Sequence, residues 1–213
     1  MVLQVSEIFK SIQGESSYSG LPCVFIRLAG CNLRCRYCDT RYAYNEGEET
    51  SVLEILSRVV SYQCSLVEIT GGEPLIQRKT ADLAAALIEK DCKVLVETNG
   101  TQDISVLPQE AIRIMDIKCP SSGESDKMRW ENILELRPED EIKFVISDRH
   151  DYEWVKKTLF EKLADTKAGI LFSTVFGELH PRHLAHWMLT DNIQARLQLQ
   201  IHKYIWTPDA RGV

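Results

Sequence analysis

The sequence predicts an α/β fold, an incomplete (β/α) barrel of parallel strands with an N-terminal extension, and three observations point to it. Short apolar, β-branched runs alternate with segments of helical periodicity about six times along the chain, the pattern of strands joined by helical crossovers. The chain has 213 residues, 44% of them hydrophobic; that is enough for one sizeable core but short of the ~250 residues of an eight-unit barrel. The segments richest in glycine, cysteine and charge fall directly after the expected strands, where the loops of a parallel barrel form its functional rim. No linker, repeat or low-complexity stretch interrupts the pattern, so residues 1–213 are expected to form a single domain.

Taken in order, "QVSEIFKSIQGES" reads as an extra strand and loop ahead of the barrel. "VFIRL" (24–28) is the first barrel strand, and the cysteine-rich loop follows it. Ser51 and Glu54 then stand at capping-box spacing before apolar Val52, Leu53, Leu56 and Val59, which marks a helix start. The next strands are expected at 66–70, 93–98, 112–118, 142–147, 170–174 and 197–201. Helical recurrence of apolar positions marks 80–90 and 151–165, and Pro181 suits the first turn of a further helix over 181–189. "TGGEP", "ETNG", "DIKCPSS" and "ISD" follow four consecutive strands and are expected on one rim.

Charge and hydropathy exclude some functions. A formal charge of -6 with no run of Lys or Arg gives nothing to track a phosphate backbone, so nucleic acid is not the expected partner and a small molecule is. The longest apolar run is short ("LAAALI"), and the first residues lack the pattern of a secretory signal. A soluble, cytoplasmic protein with no membrane partner is expected.

Seven cysteines are an odd number, which argues for metal binding or burial over a disulfide framework. Cys31, Cys35 and Cys38 are spaced Cys-x3-Cys-x2-Cys on one loop, close enough for three thiolates to converge on a soft metal or an iron–sulfur cluster. A structural zinc would need a fourth ligand, and the candidates are poor: Cys23 sits at the start of an apolar strand, and Cys64, Cys92 and Cys119 are isolated positions that read as small buried residues. "TGGEP" places two glycines after a strand, where bare backbone can approach a ligand.

"CNLRCRYC" followed by "TGGEP" resembles the radical S-adenosylmethionine (SAM) superfamily. That resemblance implies a 4Fe-4S cluster held by Cys31, Cys35 and Cys38, with its open iron chelated by SAM. One electron then cleaves SAM to a 5'-deoxyadenosyl radical that abstracts a hydrogen atom from the substrate. Within the superfamily the chain is most similar to the family of 7-carboxy-7-deazaguanine synthases, through "EIFKSIQGE", "GLPCVFIRLAGCNLRCRYCDT", "EITGGEPL", "VETNGT", "DIKCPSSG" and "HKYIW". It departs at Ser16, where the family often has glycine, and at "DIKCP", where many relatives carry a Ser-Pro-Lys segment.

The closer resemblance implies a carbon–nitrogen lyase of queuosine and 7-deazapurine biosynthesis. Its substrate would be the carboxylated pterin 6-carboxy-5,6,7,8-tetrahydropterin, contracted to 7-carboxy-7-deazaguanine with loss of ammonia. SAM would be lined by Tyr37, Cys38, Asp39, Gly72, Asp116, Ile117, Lys118 and Ser173; Thr40 would ligate Mg2+; and Ile12, Gln13, Gly14, Arg27 and Thr70 would contact the pterin. An electron donor such as flavodoxin and a homodimer are also implied. On the residues alone, Arg27 suits a structural ion pair as well as a substrate carboxylate, Thr40 is also a helix N-cap, and His202 and Lys203 stay open. A glycyl-radical-enzyme activase and a non-catalytic zinc module are the competing readings.

Overall fold

The computed structural model describes residues 2–213. Nine strands form one sheet: β1 (Val2–Ile12), β2 (Pro22–Leu28), β3 (Glu48–Ser51), β4 (Leu66–Gly71), β5 (Lys93–Thr98), β6 (Ile112–Ile117), β7 (Glu141–Ile146), β8 (Gly169–Thr174) and β9 (Arg196–Leu197). Their order is β3-β1-β2-β4-β5-β6-β7-β8-β9, so β3 and β9 are free edges and the barrel is incomplete. The N-terminal strand is antiparallel to both β2 and β3. Every pairing from β2–β4 to β8–β9 is parallel.

Alternation along the strands separates a packed outer face from a lined inner one. Val24, Ile26, Val67, Ile69, Val94 and Val96 pack against α1 (Val52–Ser61) and α2 (Thr80–Ile88). Met115, Ile117, Ile142, Phe144 and Phe172 pack against α3 (Arg149–Lys162) and α4 (Pro181–Thr190). Inward-facing Phe25, Leu66, Leu95, Ile112 and Ile114 form a smaller apolar floor. Above it the inner positions turn polar. Helix starts follow local chemistry: the Ser51 side chain accepts from Glu54 N, Asp148 accepts from Asp151 N, and Pro181 opens α4.

Three expectations need correction. Helices bridge only four of the crossovers; β5–β6 and β6–β7 are joined by 3-10 turns, because Pro108, Pro120, Gly123 and Pro138 break any long helical run there. The last strand is two residues long, not five. Past Leu197 the chain leaves the sheet edge: Gln198 Oε1 accepts from Ser16 N (2.7 Å), Ile201 N donates to Gly14 O (3.0 Å), and the short α5 (His202–Ile205) follows. Cys23 and Cys119 are buried as expected, but Cys64 and Cys92 are partly exposed.

Residues 13–17 cross the bore from β1 to β7. Gln13 reaches Glu68 on β4, Glu15 reaches Lys143 on β7, and Ser17 N donates to Glu141 Oε1 (3.0 Å). This strap also joins the segment after β9, through the Ser16–Gln198 and Gly14–Ile201 bonds.

Candidate active site

The inner face and the loops above it enclose a cavity of about 230 Å³. The cysteine loop forms one wall. Cys31, Cys35 and Cys38 all line the cavity, whereas the intervening Asn32, Arg34 and Arg36 point outward and are exposed. Leu33 N donates to Cys31 Sγ (3.4 Å). Among the described residues, the only His/Cys/Asp/Glu trio with ligand atoms all within 4.8 Å of one another is Asp148, His150 and Asp151. At least one pair of the three cysteine sulfurs therefore lies more than 4.8 Å apart, wider than the ~3.8 Å edges that Zn–S bonds of ~2.3 Å set for one tetrahedral ion. A wide soft triad suits a cluster better than a single zinc. Burial pushes the Cys31 and Cys35 thiols up, Cys35 to about 11, so binding any metal there must release protons.

The loop after β4 meets this wall backbone to backbone. A Cβ on Gly72 would lie 2.2 Å from Gly30 O and 2.7 Å from Cys31 Cβ, and Gly71 has φ +144. Only glycine fits that approach. Glu73, fully buried, ties the same loop to the end of β5: it accepts from Leu75 N (2.9 Å), Thr98 Oγ1 (2.8 Å) and Asn99 N (2.6 Å). Asn99 Nδ2 in turn lies 4.0 Å from Cys31 Sγ.

A charge network lines the opposite side. Lys143, almost fully buried, contacts Glu15 Oε2 (2.7 Å), Glu97 and Asp116 Oδ2 (3.4 Å). Lys118 Nζ lies 2.9 Å from the same Asp116 oxygen. Burial alone would raise the Glu15 carboxyl, but Lys143 and His202 overcome it and hold it at about 2. Glu68 behaves oppositely: burial, reinforced by Glu97, pushes it up to about 8. Among the buried side-chain oxygens without a hydrogen-bond partner are Asp116 Oδ1 and Ser173 Oγ. Asp116 lines the cavity, where an orphaned acceptor suits a ligand with N–H or O–H groups to offer.

Most of the expected site residues converge. Tyr37, Asp39, Gly72, Asp116 and Lys118 line the cavity, as do Ile12, Gln13, Gly14, Arg27 and Thr70. Ile117 does not: its side chain lies in the helix-side core, so only its backbone could meet a ligand. Ser173 is 1% exposed and absent from the cavity wall. The "ISD" segment turns away too, because Ser147 bonds Asp151 instead. Arg27 holds both of its readings: Nε donates to Glu7 Oε1 (2.7 Å) while the side chain borders the cavity. Thr40 borders it as well; it precedes the 3-10 turn Arg41–Tyr44 yet makes no capping bond, its hydroxyl donating to Asp39 Oδ1 (2.9 Å). His202 and Lys203 both enter the wall, and Lys203 Nζ lies 2.6 Å from Asp39 Oδ2.

Glu15, Glu68, Glu73, Glu97 and Lys143 were not anticipated as site residues. For Glu68, Glu97 and Lys143 the signal was a charge at an inward-parity position within a largely apolar strand.

Residues 25–117 match the sequence profile of the Radical SAM superfamily. The chain is 44% identical to a 7-carboxy-7-deazaguanine synthase of Koribacter versatilis, across 99% of this chain and 100% of that protein. It is 47% identical to the one from Chlorobaculum tepidum, across 99% and 97%. In fold it is similar to QueE from Escherichia coli, with a TM-score of 0.73 and 21% identity over 93% of this chain and 94% of that one. No helix among the described residues is long and apolar enough to cross a membrane.

Proposed function

We propose a function on one premise: the chain belongs to the radical SAM superfamily and, within it, to the 7-carboxy-7-deazaguanine synthase family. The protein is then a carbon–nitrogen lyase that contracts 6-carboxy-5,6,7,8-tetrahydropterin to 7-carboxy-7-deazaguanine with loss of ammonia, a step of queuosine biosynthesis. The single observation that carries this reading is the meeting, in one cavity, of the three-cysteine wall, the glycine approach at Gly72 and a charged inner face.

When bound, a 4Fe-4S cluster would supply the electron for reductive cleavage of SAM and so the means of abstracting a hydrogen atom from the substrate. Cys31, Cys35 and Cys38 hold the cluster as thiolates. Gly72 lets the loop after β4 close onto the cysteine loop and borders SAM there, as do Tyr37, Cys38, Asp39, Asp116 and Lys118, with Ile117 reaching it through backbone and Ser173 from behind. Thr40 offers a hard oxygen to Mg2+. Arg27 pairs with the substrate carboxylate, and Ile12, Gln13, Gly14 and Thr70 face the pterin. Residues 13–17 and 198–203 shield the cavity from water, which strengthens these contacts. An enclosed cavity also favours a small substrate over the partner protein of a glycyl-radical activase. The same reading takes residues 1–213 as one radical SAM core, a homodimer as the working state and a donor such as flavodoxin as the reductant.

The test is an anaerobic assay of the reconstituted protein with SAM, Mg2+, a reductant and the carboxy-tetrahydropterin. The expected products are 7-carboxy-7-deazaguanine, identified by mass, and an equal amount of ammonia, formed only when SAM is present; because loss of ammonia leaves the redox state unchanged, 5'-deoxyadenosine should accumulate only below the amount of product. Brown protein that cleaves SAM but leaves the pterin unchanged would overturn the substrate; colourless protein holding one tight zinc would overturn the chemistry.

A further inference from the structure

Resting on that reading, we propose that Glu68 is the residue that touches the pyrimidinone edge of the pterin, and that Gln13 serves as the brace orienting it. Glu68 stands mid-strand on β4, 5% exposed and on the cavity wall, beside Phe25 in the sheet register. Its Oε2 accepts from Gln13 Nε2. No protein donor reaches Oε1 among the described residues, and that atom is not among the sealed orphans, so it opens into the cavity. Gln13 is committed elsewhere: its amide nitrogen serves Glu68 and its oxygen accepts from Glu15 N (3.1 Å). Of the two, only Glu68 has a side-chain polar atom that no protein group among the described residues contacts.

Packing gives no reason for this glutamate. Inward neighbours Phe25, Leu66 and Ile114 would accept an apolar side chain there, and a buried carboxyl without a cation is costly. Lys143 pairs with Glu15, Glu97 and Asp116, and among the described residues no salt bridge forms to Glu68. Facing it are Glu97 from β5, Lys143 from β7, Glu15 from the strap and the Cys23 thiol from β2. Burial and Glu97 favour the neutral acid, which lies protonated at neutral pH. With Oε2 accepting from Gln13, the proton resides on Oε1 and is aimed at the cavity. A 2-amino-4-oxopyrimidine ring offers the complement, a carbonyl and a ring nitrogen along one flat edge, and the floor of Phe25 and Ile114 supplies an apolar surface for its face. A neutral acid used as a donor in an apolar site is an established device in other enzymes.

The experiment measures equilibrium binding of 6-carboxypterin, an unreactive aromatic analogue, to the anaerobically reconstituted enzyme with SAM. E68L should weaken it about 10-fold or more, the cost of one buried hydrogen bond, and raise KM for the tetrahydropterin with kcat little changed. E68Q, a neutral isostere that still donates and accepts, should bind within about 3-fold of wild type by the same reasoning. Should E68L not fold, E68D carries the test, since shortening by one methylene withdraws the hydroxyl and should weaken binding. Wild-type affinity in E68L or E68D, or equal losses in E68Q and E68L, would overturn the assignment. A wild-type enzyme that neither binds 6-carboxypterin nor converts the tetrahydropterin would overturn it together with the function above; binding by wild type with unaffected variants overturns Glu68 alone.

Discussion

Cys35 is the most enclosed of the three loop thiols, 9% exposed against the half-buried Cys31 and Cys38. Its elevated pKa means that the metal-free thiol is protonated at neutral pH, and only a metal strong enough to displace that proton will bind. Cys35→Ala should abolish both cluster assembly and SAM cleavage, read as bound iron and sulfide and as 5'-deoxyadenosine formed; a variant that still makes 5'-deoxyadenosine would remove Cys35 from the ligand set. Thr40 acts differently. Its hydroxyl lies beside Asp39, whose other oxygen Lys203 already neutralises, so Thr40→Ala should leave iron content unchanged but shift the Mg2+ dependence of turnover to higher concentration. An identical Mg2+ titration in the variant would exclude it from the cation site.

Among the elements, the loop after β4 matters most to the geometry. Its glycines let β4 press against the start of the cysteine loop, with Gly72 N donating to Leu28 O (3.2 Å) and Glu73 N to Gly30 O (2.8 Å). Gly72→Ala drives a methyl into Gly30 O and Cys31, and should cost about 2–4 kcal/mol by urea unfolding as well as lowering iron uptake. Unchanged stability would mean that the loop yields without cost. This loop was legible in sequence because two glycines after an apolar run allow few structures. The parallel strands and four helices were legible too, their periodicities being strong and their caps local. The 3-10 crossovers and the curtailed final strand were not. Glutamines 198 and 200 alternate with leucine and isoleucine as a strand would, and only the long-range bonds to Ser16 and Glu15 draw them off the sheet edge. Contacts between residues separated by more than 180 positions leave no periodic trace.

At the scale of the molecule, one buried ammonium joins the parts. Lys143 links the strap, through Glu15, to β5 and β6, through Glu97 and Asp116, and so holds together three carboxylates that would otherwise repel one another. Its role follows from the sign of the linkage. The folded Glu15 carboxyl sits at about 2 against an ordinary 4.5, so its stabilising effect is fully present above about pH 4.5 and is lost as pH falls toward 2. With Lys143→Met the main cation opposing burial at Glu15 is gone, and burial raises that carboxyl above its unfolded value; the variant then becomes less stable as pH rises through 4–5. At neutral pH the deficit should reach about 3–5 kcal/mol, the cost of stripping one partner from a buried ion cluster. Near pH 3, where the carboxylates are protonated and an unpaired buried ammonium itself becomes a burden, the gap should close or reverse. Urea midpoints of both proteins at pH 3 and pH 7 decide the matter: a pH-independent difference would mean that Lys143 fills space, and that the strap is held across the bore by packing and the glutamine bonds instead.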